Sequence, residues 1–340
     1  MKVVFSDEQL AHAPPVFISS GAEQPNPEVP ERAERLLDAA VRFGLERAAP
    51  DDYGIDVLST VHSERYLAFL QNIFRRWQYI SGASAAVIPN IHPDGRGGGY
   101  PASAVGQAGF HIYDGSCPIV AETWDCARRS ANSAIHAAHE VLGGANASYA
   151  LCRPPGHHAG HDLAGGFCYL NNSALAASIL QRRYKRIAIL DIDVHHGNGT
   201  QDIFFARSDV LTVSLHADPV RFYPFFWGYA DEHGVADGEG FNLNVPLERG
   251  LGDDDYLAAL DGALERIGAY DPGAVVIAFG LDAHASDPFQ GLCITTEGFR
   301  RIAAAIASLR LPLVLVQEGG YLSEALGANL RAFLQSLTSG

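Results

Sequence analysis

Residues 187–200 read IAILDIDVHHGNGT, an apolar, β-branched run that ends in aspartates, paired histidines and glycines. From Ile187 to Ile192 the run is apolar on both faces, the pattern of a strand in a parallel sheet covered by helices on both sides. Asp193 and His195 stand two apart on extended chain, so their side chains fall on the same side. Similar runs bounded by turn signals occur at Tyr149 to Cys152, Leu211 to Leu215, Ala274 to Phe279 and Leu313 to Gln317. The opening MKVVFSDEQL reads as a first strand. Helical periodicity occupies Cys126 to Leu142, Leu170 to Arg183, Asp253 to Gly268 and Thr296 to Leu309. Three aspartates open the third of these, where the helix dipole favours negative charge. Strand alternating with helix predicts a single α/β domain built on a parallel sheet.

Polar residues gather immediately after the strands, where open α/β sheets place their ligands. RPPGHHAG (153–160) follows the first of the runs, GLDAH (280–284) follows Phe279, and EGGY (318–321) follows Gln317. Asp193, His195 and Asp282 together offer one imidazole and two carboxylates. Three protein ligands with a fourth position open describe a catalytic zinc site rather than a structural one. Fe²⁺ or Co²⁺ would accept the same donors. His157 and His158, on a rigid Pro-Pro-Gly turn, read either as further ligands or as acid–base groups. Tyr321, after two glycines, is either a turn residue or a phenol donor to a developing oxyanion. Residues 81–123 break the rhythm, with HPDGRGGGYP at 92–101 and little periodicity. So long a loop is a functional element, an interface or a surface insertion.

Composition narrows the function classes. The chain has 340 residues, 47% apolar and 19% charged, enough to bury a sizeable core. Twenty-four Lys and Arg against 39 Asp and Glu give a net charge of −15. That balance opposes sequence-independent nucleic-acid binding and suits cationic substrates. Apolar runs such as Ala274 to Leu281 fall far short of the roughly 20 residues a membrane span needs, and no export signal is visible. Five cysteines without a CxxC pair read as reduced thiols, which points to the cytoplasm.

In this order and spacing, RPPGHHA, LDIDVHHGNGTQDIF, GLDAH…DP and EGGY resemble the zinc-dependent histone deacetylase superfamily, and within it the bacterial acetylpolyamine amidohydrolases. The resemblance implies the arginase/deacetylase fold, a parallel sheet of about eight strands between helical layers. It implies that Asp193, His195 and Asp282 hold zinc. His157 and His158 become the tandem acid–base pair, oriented by Asp191 and Asn198, with Tyr321 donating to the substrate carbonyl. His157, facing Asp191, is expected to stay charged. His158, with a pKa near neutrality, is expected to take the proton from water and return it to the leaving amine. Phe167 forms one wall of the substrate channel, Phe225 or Phe226 the other, with Phe289 beside them. A potassium ion is implied at Asp191, Asp193, His195, Ser214 and Leu215, partly through main-chain carbonyls. Arginases carry an Asp two residues after the matching His; Gly197 stands there, so one catalytic metal and amide hydrolysis are expected.

In the polyamine enzymes that this chain resembles, an insert matching 81–123 narrows the active-site mouth and builds a homodimer. Acids in that insert contact the cationic amine; here the stretch is mostly neutral, with Asp114 and Glu122 the nearby acids. Phe289 stands where a polyamine-selective animal relative carries a glutamate. The expected activity is removal of acetyl groups from small acetylated cationic amines, acetylpolyamines foremost. A broader acetyl-lysine peptide deacylase and a non-catalytic metal-dependent binder of acetylated ligands are the alternatives.

Overall fold

The computed structural model describes residues 1–338. Eight strands form one sheet: β1 (Lys2–Val4), β2 (Glu46–Ala48), β3 (Ala147–Ala150), β4 (Ile187–Asp191), β5 (Val210–Ala217), β6 (Asn242–Leu247), β7 (Ala274–Phe279) and β8 (Leu313–Gln317). Their spatial order is β2-β1-β3-β8-β7-β4-β5-β6, and every pairing is parallel. The eight-stranded parallel sheet expected from the sequence is therefore present.

The central strands are buried on both faces because their side chains alternate between two apolar layers. Ala188, Leu190, Val275, Ile277, Phe279, Leu313 and Leu315 point into one core. That layer is closed by helices α1 (Pro30–Phe43), α6 (Asp253–Tyr270), α7 (Thr296–Ala307) and α8 (Leu326–Thr338). Ile187, Ile189, Ala274, Val276, Val314 and Val316 point into the other. There α2 (Glu64–Trp77), α4 (Thr123–Leu142) and α5 (Asn172–Leu180) cover the sheet.

The interior strands were legible and the edges were not. Strands β7 and β8 have the boundaries read from the sequence. β2, an edge strand, is largely exposed and polar. β6, on the opposite edge, alternates in burial and carries Pro246, which an edge tolerates because one side of its backbone needs no partner. Residues 81–123 contain a helix the sequence reading did not find, α3 (Ala104–His111). Ser103 caps it by accepting from Gly106 N at 3.1 Å. The helix packs so closely that a Cβ on Gly109 would stand 1.8 Å from the carbonyl oxygen of Ile91. Its small residues hide the usual apolar spacing.

The position of the strands in the sheet sets the cost of truncating them. Ile277→Ala, in the buried strand β7, is expected to lower unfolding free energy by about 2–5 kcal/mol. Val245→Ala, on the half-buried edge β6, is expected to cost under about 1 kcal/mol. Urea unfolding of the two variants beside the wild type measures both.

Candidate active site

The sheet brings its chemistry to the C-terminal ends of β3, β4, β7 and β8. As the chain leaves β4, each acid folds it back on itself. Asp191 Oδ1 accepts from Asp193 N at 3.0 Å, and Asp193 Oδ1 accepts from His195 N at 2.9 Å. From beyond β7, Asp282 Oδ1 accepts from Val194 N at 3.0 Å. From beyond β8, Gly319 N donates to Asp193 Oδ2 at 2.7 Å. One ligand atom each from Asp193, His195 and Asp282 then lies within 4.8 Å of the others, all three residues buried. Side chains would not fit around them: a Cβ on Gly280 would stand 2.3 Å from Asp193 Oδ2, and one on Gly319 1.9 Å from Asp282 Oδ2.

The electrostatics of this trio favour a cation. Asp282 Oδ2 is buried and accepts no hydrogen bond, although it lies 3.3 Å from His195 Nδ1. Burial, then the neighbouring Asp193 charge, push the Asp282 carboxyl above its ordinary range. Burial opposes charge on His195 as well, yet its hydrogen bond to Asp193 and the adjacent Asp282 and Asp193 charges raise its pKa to about 9. The pocket stabilises positive charge at this point, and the N/O donor set suits a borderline divalent ion such as Zn²⁺.

The histidine pair sits on a loop pinned from three sides. Pro154 O accepts from Ser130 Oγ at 2.7 Å and from Asn172 Nδ2 at 3.2 Å. Gly156 N and His157 N both donate to Glu318 Oε2, at 2.6 and 3.0 Å, while Ser173 Oγ donates to Glu318 Oε1 at 2.8 Å. His157 O accepts from Thr200 N at 3.1 Å. Held this way, His157 Nδ1 meets Asp191 Oδ2 at 2.9 Å and His158 Nδ1 meets Asn198 Oδ1 at 2.7 Å. Their ring centroids are 4.0 Å apart. Burial works against a charge on His157, but Asp191 and Asp193 outweigh it and raise its pKa to about 10. His158 goes the other way: burial, then the positive rings of His157 and His195, hold it well below its ordinary value. This corrects the expectation of a near-neutral pKa for His158, which took no account of burial and adjacent positive charge.

Tyr321 is buried, and burial pushes its phenol well above its ordinary pKa, so the hydroxyl keeps its proton. Its main-chain N donates to Asp287 Oδ2 at 2.9 Å. The Arg32 guanidinium lies 4.6 Å from its ring centroid and donates to Gly320 O at 2.5 Å and Glu318 O at 2.8 Å.

His157, His158, Asp193 and His195 open onto a cavity of about 240 Å³ walled by Phe167, Phe222, Tyr223, Phe225, Phe289 and Tyr321. Of the two phenylalanines left open by the sequence, Phe225 lines the cavity. Phe226 does not: it is 76% exposed and packs edge-on against Trp227, 5.8 Å away. Phe289 lies 4.7 Å from Tyr321 and 5.2 Å from His195, ring to ring. Ser214 and Leu215 lie on β5 beside β4, with Ser214 the register partner of Asp191. At Gly197 a Cβ would stand 2.3 Å from Asp191 Oδ2, so an arginase-type acid has no room there.

Several residues escaped the sequence reading. Glu318 lies inside the EGGY motif and had a signal; Arg32, in the middle of an ordinary amphipathic helix, had none. Phe222 and Tyr223 line the cavity just ahead of Phe225. Asp114 has its carboxylate occupied by Ser116 N at 2.9 Å, Gly166 N at 3.2 Å and Tyr223 Oη at 2.5 Å. Glu122 is exposed at the start of α4, away from the cavity lining.

Comparison with known proteins agrees with this geometry. Residues 26–337 match the histone deacetylase domain family. The chain is 44% identical over 337 residues to an acetylpolyamine amidohydrolase of Burkholderia pseudomallei, covering 98% of this chain and 97% of the relative. It is 42% identical over 340 residues to acetylpolyamine amidohydrolase 1 of Pseudomonas aeruginosa, covering 98% of each. The crystal structure of an acetylpolyamine aminohydrolase from Burkholderia pseudomallei, after an iodide soak, superposes with a TM-score of 0.97 at 44% identity, covering 100% of this chain and 99% of that one. With its family matched over nearly the whole length, the chain belongs to the histone deacetylase family and is a hydrolase of amide bonds.

Proposed function

We propose that this enzyme uses zinc to remove acetyl groups from small acetylated amines, acetylpolyamines foremost, giving acetate and the free amine. The observation that carries the reading is the unpaired Asp282 Oδ2 within a buried trio of Asp193, His195 and Asp282, directly beneath a histidine pair and a tyrosine. The names of the similar proteins support the substrate class. Bound at the trio, the metal supplies Lewis-acid polarisation of the acetamide carbonyl and acidifies the attacking water; Fe²⁺ or Co²⁺ would do the same.

The chain's own groups divide the remaining work. His158 is neutral and takes the proton of the attacking water at Nε2, because Nδ1 faces Asn198 Oδ1. It then returns that proton to the nitrogen of the departing amine. His157 stays charged against Asp191 and stabilises negative charge that grows on the carbonyl oxygen and the water. Tyr321, protonated and packed on Phe289 and Arg32, donates to that same oxygen. The aromatic walls exclude water and accept a slender methylene chain.

A potassium ion is proposed at Asp191, Asp193, His195, Ser214 and Leu215. The parallel register that sets Asp191 beside Ser214 supports it, since main-chain and hydroxyl oxygens suit a hard cation. The chain is read as a single deacetylase domain whose insert, 81–123, shapes the mouth and forms a homodimer contact. Ser116 on the cavity wall and the exposed Ile91 and Tyr100 support that role. A cytoplasmic location is in keeping with five free cysteines, four of them buried; among the described residues no helix is long and apolar enough to cross a membrane.

A second reading, the broader acetyl-lysine deacylase, is favoured by one feature. Besides Asp193, no carboxylate lines the cavity among the described residues, whereas the exposed Arg221 does. A guanidinium there opposes an ammonium on the substrate.

Chelation is expected to abolish acetate release, and stoichiometric Zn²⁺ to restore it. Tyr321→Phe is expected to lower kcat by roughly 10²–10³ with metal content unchanged. If kcat/KM for acetylputrescine exceeds that for an acetyl-lysine peptide by about tenfold, the small-amine reading stands; the reverse order selects the second. Arg221→Gln is expected to lower KM for acetylputrescine about threefold, less so at high salt. The folded-state pKa of His157 is raised to about 10, so its stabilisation is full below about 6.5 and fades as pH rises through about 10. His157→Ala is expected to flatten the alkaline decline in urea stability of the metal-free protein across that window.

A further inference from the structure

Asp114, Tyr223 and Tyr113 form a chain of hydrogen bonds that ends on Asn198, and Asn198 ends on His158. Tyr223 Oη lies 2.5 Å from Asp114 Oδ2. Tyr113 Oη lies 2.8 Å from Tyr223 Oη, Asn198 Nδ2 lies 3.2 Å from Tyr113 Oη, and Asn198 Oδ1 lies 2.7 Å from His158 Nδ1. We propose that this relay fixes the amide orientation of Asn198 and thereby the tautomer of His158, making Asp114, Tyr113 and Tyr223 positioning residues for the proton acceptor of the reaction.

The polarity of the chain follows from the inventory of donors and acceptors. Three donors surround the Asp114 carboxylate: Ser116 N, Gly166 N and Tyr223 O–H. It therefore acts as an acceptor, and Tyr223 spends its proton on it. The Tyr223 oxygen is left to accept, and Tyr113 is the donor facing it. With that proton committed, the Tyr113 oxygen must itself accept, and the Asn198 NH₂ is in reach. Tyr113 Oη also stands 3.4 Å from Asn198 Oδ1, a contact its committed proton cannot serve. The Asn198 carbonyl oxygen is thus turned to His158, where only an Nδ1–H can meet it. Nε2 is left with its lone pair, as a base requires. Without the relay an asparagine can present either end, and an inverted amide would offer N–H to Nδ1 and move the imidazole proton to Nε2.

Two further contacts make the relay a coupling between the insert and the site. Tyr223 stands edge-on to His158, ring centroids 5.0 Å apart at 89°. Asp114 also holds Gly166 N, next to Phe167 of the cavity wall. Asp114 is accordingly committed to the protein and does not serve as the anion for a substrate ammonium.

The inference rests on His158 being the base, and its test separates the two ideas. Tyr113→Phe and Asp114→Asn are assayed with acetylputrescine and its uncharged isostere N-acetylpentylamine. Because Asp114 also braces the backbone, Tyr113→Phe is the cleaner variant. Both are expected to lower kcat about 10- to 100-fold for either substrate, with KM within about twofold. In an Asn198→Asp background the residue has no donor end to invert, so Tyr113→Phe is expected to cost less than about twofold. Imidazole ¹⁵N shifts of His158, assigned by subtraction with His158→Gln, are expected to show a single Nδ1–H tautomer in the wild type and a mixture in Tyr113→Phe. Equal kcat losses in the wild-type and Asn198→Asp backgrounds would mean that Tyr113 is only structural and would overturn the relay. A KM increase confined to acetylputrescine would make Asp114 an amine ligand instead and would also overturn it. If the wild type releases no acetate, the deacetylase reading fails, and the imidazole spectra still decide the relay: an unchanged tautomer in Tyr113→Phe refutes it.

Discussion

Two carboxylates and an imidazole buried within 4.8 Å of one another, with one carboxylate oxygen left unpaired, form the constraint to which the rest of the structure answers. Like charges placed side by side away from water are costly unless something positive stands between them. The fold contributes what it can: main-chain N–H groups of Val194, His195 and Gly319 turn toward Asp193 and Asp282. Gly280 and Gly319 leave no Cβ to crowd Asp193 Oδ2 and Asp282 Oδ2. The remaining deficit is one of positive charge, the requirement a divalent ion meets.

The same crowding of charge drives the two histidines apart in protonation. They are sequence neighbours with rings 4.0 Å apart, and both are buried, yet one faces carboxylates and the other an amide. Asp191 and Asp193 hold a proton on His157; the resulting charge, added to burial, denies one to His158. Groups whose surroundings drive their pKa values apart can act as electrostatic stabiliser and base at one pH. Neither protonation state belongs to the dipeptide itself. Each comes from what β4 and the segment after it deliver to the Nδ1 atom.

Glu318 and Arg32 show how the histidine pair and Tyr321 are kept in mutual register. The Glu318 carboxylate ties the histidine loop to the end of β8, and Arg32 ties α1 to the carbonyls of Glu318 and Gly320. Tyr321, one residue further on, inherits its position from these bonds and from Asp287. Loop, tyrosine and the Asp193–His195–Asp282 trio are therefore braced against a rigid sheet, the arrangement that preorganised catalysis needs.

What the sequence determined by itself was whatever depends on local spacing. Short β-branched apolar runs such as Ala274–Phe279 and Leu313–Gln317, bounded by turn signals, read as strands buried on both faces, and DxH after a strand put Asp193 and His195 on one side. The polar motifs after four strands announced one rim, because parallel strands all point their C-terminal ends the same way. Edge strands β2 and β6, with one unpaired side and mixed polarity, carried no such signal, and α3 was hidden by its small residues. The choice of Phe225 over Phe226, the depressed pKa of His158, the Arg32 brace and the path from Asp114 to His158 belong to tertiary structure alone. Each joins groups far apart in the chain, and the burial and charge that decide their behaviour arise only when those segments meet.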